Sequence, residues 1–323
     1  MSEGHPAPPI KLYERWERQH WSVLDYDLEA DVAAWRSLPP LLRRELHAGI
    51  VQYFLGEAAV AEMLTPLVAA APTTNDQLYL ATQLADEARH TVFFQRYLQA
   101  VDGDDRPIEA YLGGLQEGRG DGHFDLFDRR LRAATERARL NPEDRSAWYS
   151  AITLYHLLLE AVLAINGERV LLDIASGLGT VPVLVDGLRK VARDESRHIS
   201  FGVGALRRGA DAGHLETIVD VVIDSLPSLL DVLVAPRRRY PALVPPDVLE
   251  SRAEQLLEFC GRARAALLKR LRYIGAREAL PVVDRGWGAA LAAAFDRYEE
   301  LHGTAHPVRR LGVREPALAQ RAG

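Results

Sequence analysis

Long stretches of this chain mix apolar and polar residues in the pattern of helices, and no segment shows a convincing strand pattern. Four long helices are predicted, from about residue 39 to 70, from Thr73–Thr74 to Asp102, from about Pro142 to 175, and from 181 to 208. Each spans roughly 25–30 residues, or about 40 Å, against roughly 11–12 residues for the average globular helix. Their order as two sequential pairs predicts an all-α bundle.

Shorter helices are predicted over residues 124–140, 214–234, 247–274 and 287–301. No linker is rich enough in serine, proline or glycine to force a domain boundary. We therefore expect an N-terminal extension at 1–36, one helical domain at 37–275, and a partly flexible C-terminal extension at 276–323.

The composition is that of an ordinary soluble protein, with 48% hydrophobic and 26% charged residues. The net charge of −6 disfavours nucleic acid as a partner, because phosphate binding needs a basic face. The single cysteine, Cys260, excludes an intramolecular disulfide and a zinc site made of thiolates. The N-terminus lacks the apolar core of a signal peptide, and no apolar run is long enough to span a membrane. We expect a cytoplasmic protein.

One short pattern occurs twice, as Asp86-Glu87-Ala-Arg-His90 in the second long helix and as Asp194-Glu195-Ser-Arg-His198 in the fourth. A glutamate and a histidine three residues apart lie on the same face of a helix. A single copy is weak evidence, because a solvated helix face explains it equally well. If the two copies belong to one site, each copy also needs partner residues on the helix that precedes it.

The preceding helices carry glutamates in apolar surroundings, Glu57 in YFLGEAAVAEML and Glu160 in YHLLLEAVLA. Burying an unpaired carboxylate costs several kcal/mol, so each needs a partner, either a metal ion or a lysine or arginine on a facing helix. Glu57 precedes Glu87 by 30 residues, and Glu160 precedes Glu195 by 35. Each interval fits one helix, a turn, and a return to the same level.

The repeated half-site matches the di-iron or di-manganese carboxylate site of ferritin-like helical bundles. It consists of one glutamate plus one Glu-x-x-His unit from each helix pair, and the predicted ligands are Glu57, Glu87, His90, Glu160, Glu195 and His198. Oxygen-rich ligands with one imidazole per metal suit iron or manganese. We therefore predict a ferritin-like four-helix bundle with additional helices and a dinuclear centre that activates oxygen.

Asp86 and Asp194 precede the two ligand glutamates, and each is a candidate to accept the second N–H of a metal-bound imidazole. The alternative is that both are acids on a helix surface that face Arg89 or Arg197.

With these residues, positions 20–235 resemble the small-subunit superfamily of ribonucleotide reductase, and within it the ligand-binding oxidases. Two further residues carry the resemblance, since Val60 follows Glu57 by three positions and Tyr155 precedes Glu160 by five. The resemblance implies that oxygen activation joins Val60 to Tyr155 by an ether cross-link. On a regular helix, five residues separate two side chains by about 140°. A π-bulge would bring them closer.

The resemblance also implies a manganese–iron or di-iron cofactor, two-electron oxidation by O2, a homodimer, and a bound long-chain fatty acid or related lipid. Apolar residues near the centre are candidates to line its channel, and otherwise they are ordinary bundle core: Leu55, Phe94, Leu157, Leu158, Leu159 and Val162.

Two other functions remain open at this stage. A reductase small subunit with a manganese–iron cofactor is one, although Phe94 replaces the tyrosine that classical subunits carry four residues after the first histidine. No tyrosine follows Tyr298, whereas reductase subunits usually carry one in the C-terminal tail. The other alternative is a ferritin-like di-iron oxygenase that acts on a small or aromatic substrate.

Overall fold

A computed structural model describes residues 7–103, 107, 109, 121–234 and 253–310, and every regular element within these ranges is a helix. The elements in chain order are α1 (Pro9–Arg18), α2 (Glu29–Ser37), α3 (Pro40–Ala69), α4 (Thr74–Asp102), α5 (Asp121–His123, Phe124–Leu131 and Arg132–Leu140), α6 (Arg145–Leu178), α7 (Pro182–Gly209), α8 (Leu215–Val234), α9 (Ala253–Ile274), α10 (Leu280–His302) and α11 (Pro307–Arg310). Single 3-10 turns cover Val23–Asp25 and Arg277–Ala279.

The four long helices predicted from the sequence are confirmed as α3, α4, α6 and α7. The Thr73 side chain accepts a hydrogen bond from the Asp76 backbone N–H and so fixes the start of α4. Gly103 ends α4 with a φ of 67°, a conformation that glycine adopts without strain. α6 begins at Arg145, three residues later than expected, because the Asp144 side chain caps it.

One helix differs in length from the prediction, and the predicted start of another lies outside the described residues. α10 begins at Leu280 and ends at His302, which makes it longer than the predicted 287–301, and its proline lies in the first turn where the missing N–H costs nothing. α9 is described from Ala253. Residues 247–252, with which that helix was predicted to start, and the C-terminal tail after residue 310 lie outside the described residues.

The N-terminal helices pack on the bundle, α1 against α4 and α2 against both α4 and α7. The buried Asp31 of α2 accepts hydrogen bonds from the backbone N–H groups of Val183 (3.2 Å) and Leu184 (2.9 Å). These N–H groups lie in the first turn of α7 and have no partner within the helix. A residue of the predicted extension therefore caps a bundle helix, while the proposed domain division at residue 36 stays a prediction.

Within the bundle, α3 packs along α4 and against the second half of α6, and α7 packs along α6. α6 is the one helix among the described residues that is long and apolar enough to cross a membrane. Its most apolar window is 83% buried inside the protein, as expected for the central helix of a bundle. α8 and α9 cover the outer side of α6, α10 packs against α8 and α9, and the three helices complete the largest hydrophobic cluster.

Candidate metal centre

The bundle brings the six predicted metal ligands together in its interior, and all of them are buried. The six residues form two overlapping groups, and within each group the candidate ligand atoms lie within 4.8 Å of one another. The first group is Glu57, Glu87, His90 and Glu195, and the second is Glu87, Glu160 and His198. Because Glu87 belongs to both groups, the structure provides two neighbouring positions that share a carboxylate, which is the geometry needed to hold a dinuclear metal site.

Several polar atoms in this cluster are buried without a hydrogen-bond partner. They are Nδ1 of His90 and of His198, Oε2 of Glu160 and Oε1 of Glu195. Nδ1 of each imidazole lies 3.4 Å from Glu195 Oε1. Buried polar atoms are nearly always paired, so unpaired nitrogens and oxygens that converge on one point fit two cations that accept their lone pairs.

The protonation of the cluster supports the same interpretation. Burial raises the pKa of Glu57 and of Glu160 well above the usual range, and neighbouring carboxylates add to the effect. Burial opposes the charged form of His90 and His198, but the surrounding carboxylates outweigh it and raise both pKa values well above the usual range. Two divalent cations bound here would displace the protons that these groups hold.

The outer nitrogens of the two imidazoles contact the predicted aspartates in a crosswise arrangement. Nε2 of His90, on α4, lies 3.3 Å from Oδ2 of Asp194, on α7. Nε2 of His198, on α7, lies 3.2 Å from Oδ2 of Asp86, on α4. Each aspartate therefore ties the helix that carries it to the histidine of the other helix, and it leaves that histidine's Nδ1 facing the carboxylate cluster.

Both aspartates are buried, unlike acids on a helix surface, yet the two arginines also contact them. Arg197 lies 2.9 Å from Asp86 Oδ2 and 2.8 Å from Asp194 Oδ1, and Arg89 lies 2.7 Å from Asp86 Oδ1. Burial by itself would raise the pKa of both carboxyls, but the hydrogen bonds and charges of His198 at Asp86 and of His90 at Asp194 outweigh it and lower both pKa values, and Arg197 adds to the effect at Asp194. The aspartates are thus held as carboxylates behind the imidazoles.

Two tryptophans of the N-terminal segment complete this network, and no sequence pattern indicated them. Trp16 Nε1 donates to Asp86 Oδ1 at 2.8 Å, and Trp21 Nε1 donates to Asp194 Oδ2 at 2.7 Å. The Trp21 ring also stacks against the His90 ring, with centroids 6.3 Å apart and planes inclined by 19°.

Tyr155 lies in a π-helical segment of α6, Thr153–Ala164, which also contains Glu160. The hydrogen bonds of a π-helix join residues five positions apart, as the bond from the N–H after Ala164 to the Glu160 carbonyl shows. Tyr155 and Glu160 therefore lie about one turn apart, and the separation of about 140° expected on a regular helix is reduced. Tyr155 Oη donates to Glu87 Oε1 at 2.8 Å.

Gln83 and His156 form a second set of contacts around Tyr155 that the sequence reading missed. Gln83 Nε2 donates to Glu160 Oε1 at 2.7 Å and lies 3.3 Å from both Glu87 Oε1 and Tyr155 Oη. His156 Nε2 lies 2.9 Å from Gln83 Oε1. Burial lowers the pKa of His156 to about 3, so the ring is neutral and its N–H donates to the amide oxygen.

An apolar cavity of about 370 Å³ adjoins the cluster between α3 and α6. Of the predicted residues, Val60, Tyr155 and Leu159 line it together with four of the glutamates. The cavity-lining residues do not include five predicted channel residues, which are buried elsewhere in the bundle: Leu55, Phe94, Leu157, Leu158 and Val162. Leu159 and Leu163 line the cavity, whereas Phe94 packs against Phe93 in a different core cluster.

Small residues of α3 leave room for this cavity. Gly56, next to the predicted ligand Glu57, lines it, and no atom lies within 4 Å of the position that a side chain there would first occupy. Further along, Gly167 of α6 accommodates Tyr53, whose hydroxyl donates to the Ala164 carbonyl at 2.6 Å.

A scan against models of protein families finds no match for this sequence. Solved structures with a similar fold include a tyrosine-to-phenylalanine variant of an R2-like ligand-binding oxidase with an aerobically reconstituted Mn/Fe cofactor. It shares 22% identity over 85% of this chain and 93% of that chain, with a TM-score of 0.62. A glutamate-to-aspartate variant shares 21% identity over 90% of this chain and 93% of that chain, again with a TM-score of 0.62.

The class of protein that the fold defines is thus the all-α, ferritin-like class of helical bundles. More particularly, the chain has the fold of the R2-like ligand-binding oxidases, which confirms the likeness in fold that the sequence indicated.

Proposed function

We propose that this protein is an O2-dependent oxidase with a dinuclear metal centre, either manganese–iron or di-iron, bound by the six residues of the cluster. The observation that carries the proposal is the pair of buried ligand groups that share Glu87, with unpaired imidazole and carboxylate atoms converging on them. The Mn/Fe cofactor named for structures of the same fold supports it. When bound, the metals supply the activation of dioxygen for two-electron oxidation.

In this proposal the aspartates fix the histidines in the form that binds metal. Asp86 and Asp194 accept the Nε2–H of His198 and His90, so each imidazole presents the lone pair of Nδ1 to the cluster. Arg197 holds the two aspartates in place.

The cavity fits the alkyl chain of a long-chain fatty acid or a related lipid whose carboxylate lies at the metals. Its volume of about 370 Å³ falls in the range of roughly 300–1,000 Å³ typical of ligand pockets. Leu159, Leu163 and the open space beside Gly56 provide an apolar path away from the cluster. The R2-like oxidases that share this fold are themselves named as ligand-binding.

We further propose the ether cross-link between Val60 and Tyr155, since both line the cavity next to the cluster. Its formation removes one hydrogen atom from the Cβ of Val60 and one from the Oη of Tyr155, and the two electrons and two protons pass to dioxygen. The R2-like oxidases solved as variants include changes of a glycine, of the glutamate directly after it, and of a valine three residues later. Gly56, Glu57 and Val60 have the same order and spacing.

The test begins with metal-free protein, to which Mn(II), Fe(II) and oxygen are added while the metal content and the intact mass are measured. We expect two metals per chain and a loss of two hydrogens. Trypsin should then yield residues 45–89 joined to residues 146–169, because neither segment contains an internal lysine or arginine before its final residue. Tyr155→Phe should bind two metals without this mass loss.

Two outcomes would contradict parts of the proposal. If two metals bind but no cross-linked peptide forms, the proposed cross-link is wrong. The oxidase function must then be tested separately with a lipid ligand. A chain that binds no metal would refute the central claim. A cytoplasmic homodimer is part of the same proposal, and light scattering of the metal-loaded protein tests the dimer.

A further inference from the structure

A second acidic side chain, Glu168, lines the cavity two turns beyond Glu160 on α6. It is 2% exposed, and its Oε1 is buried without a hydrogen-bond partner. The Tyr53 hydroxyl, which lines the same cavity on the facing helix α3, donates to the Ala164 carbonyl and not to Glu168. Glu168 is not among the residues that the sequence pattern or the metal-site geometry assigns to the cluster.

An unpartnered buried carboxyl is costly, and Glu168 reduces that cost by staying neutral. Burial raises the pKa of Glu168 well above its usual range, and the charge of Glu195 adds to the effect. No lysine or arginine is among the described residues that line the cavity. A neutral carboxylic acid offers one O–H donor and a carbonyl acceptor, and both are available to a molecule in the cavity.

We propose that Glu168 is a second recognition point in the cavity and binds a hydroxyl or carbonyl oxygen in the middle of the ligand's alkyl chain. The proposal rests on the proposed function, in which the ligand's carboxylate lies at the metal centre. A neutral oxygen group suits a neutral acid, whereas an ammonium would need an ionised partner and a buried ion pair that is costly to desolvate.

Helix geometry gives the position of this oxygen. Eight residues separate Glu160 from Glu168, which is at most about 12 Å along the helix axis at 1.5 Å per residue, because the π-helical part up to Ala164 rises less per residue than an α-helix. An extended chain advances about 1.2 Å per bond, since three backbone bonds span at most about 3.6 Å. The oxygen should therefore lie about nine or ten bonds from the carboxylate, beyond the apolar stretch that Leu159 and Leu163 provide.

The test is calorimetric titration of the metal-loaded full-length protein with octadecanoic acid and with its 10-hydroxy and 2-hydroxy derivatives. We expect the 10-hydroxy acid to bind about tenfold more tightly than octadecanoic acid, as one added hydrogen bond in a buried site permits. The 2-hydroxy acid should show no such gain, because its oxygen lies beside the carboxylate.

Variants connect the preference to the side chain. Glu168→Leu should abolish the preference for the 10-hydroxy acid and bind octadecanoic acid at least as tightly as the wild type. Glu168→Gln, which keeps a donor and an acceptor, should retain part of the preference. Ile174→Leu, a volume-conserving change elsewhere in the same cavity, is the control and should keep all of it.

Thermal unfolding of the metal-free proteins separates recognition from a purely structural role. Glu168→Leu should unfold at the same temperature as the wild type or higher, because it removes an unpartnered buried carboxyl.

Equal binding of all three acids to the wild type would overturn the inference and leave the proposed function standing. So would an unchanged preference in Glu168→Leu, or unfolding of Glu168→Leu at a lower temperature than the wild type. If a wild-type protein with two bound metals binds none of the acids, the proposed ligand class itself is wrong.

Discussion

The two sides of the metal cluster differ sharply in how their polar groups are arranged. Behind the histidines, Asp86, Asp194 and Arg197 form a dense buried network that is closed by Trp16 and Trp21. On the other side the cluster borders an apolar cavity, where a buried carboxyl oxygen of the wall has no partner.

In the proposed function, this difference meets two opposing needs. A metal centre requires ligands held in a fixed orientation, and a network with several contacts per group provides that. A reaction with an external ligand requires space and groups that are free to bind it. A substitution on one side of the cluster should therefore change metal binding or ligand binding on that side and leave the other unchanged.

The largest effect is expected from Glu87→Ala, because Glu87 belongs to both ligand groups. Its removal should lower the metal content from two ions per chain to less than one, as measured by elemental analysis after reconstitution. Glu62→Ala, which removes an exposed carboxylate that pairs with Arg132, is the matched control on α3 and should keep both metals. Two metals retained by Glu87→Ala would show that Glu87 is not a shared ligand.

A smaller loss is expected from Asp194→Asn, which leaves all six ligands in place. The amide no longer offers a carboxylate to His90 Nε2, and metal affinity should fall about 10–100-fold in competition with a chelator. Asp186→Asn, an exposed aspartate two turns earlier on α7 that accepts from Tyr26, should have no effect on metal affinity. Equal affinities for wild type and Asp194→Asn would exclude a positioning role for this aspartate.

The sequence predicted the parts of this architecture that depend on local pattern. Capping residues such as Thr73 and Gly103 mark the ends of α4, and the duplicated Glu-x-x-His motif identifies the ligand helices. Repetition made that motif informative, since a single copy has many explanations. Glu168 could have been noticed by the criterion used for Glu57, a carboxylate next to apolar residues, but the adjacent Arg169 suggests a solvated face.

The remaining parts depend on tertiary contacts between distant segments, and no periodic pattern in the sequence predicts such contacts. Trp16 and Trp21 lie in a predicted extension. Trp16 reaches Asp86 because α1 packs against α4, and Trp21, in the segment after α1, reaches Asp194 on α7. Gln83 and His156 meet across two helices. The division between Leu159, which lines the cavity, and Leu158, which does not, depends on the π-helical rotation of α6.

On the cavity side, Gly56→Leu should weaken lipid binding about tenfold or more, because the new side chain enters the space that the ligand needs. Metal content should stay at two ions per chain, since the network behind the histidines is untouched. Gly261→Leu is the control, as Gly261 on α9 also has open space around it but does not line the cavity. A Gly56→Leu protein that binds lipid normally would place the ligand elsewhere.

The smallest effect is expected from Trp21→Phe, which keeps an aromatic ring over His90 and removes only the hydrogen bond to Asp194. A lost hydrogen bond of about 1 kcal/mol corresponds to about fivefold weaker metal binding. The loss should be smaller than that of Asp194→Asn, because Arg197 still holds the carboxylate. Trp35→Phe, which alters a buried ring packed against Tyr97, should lower stability without changing metal affinity. If Trp21→Phe and Trp35→Phe have the same effect on metal affinity, the N-terminal segment only packs against the bundle. The polar side of the centre then consists of the two aspartates and their arginines alone.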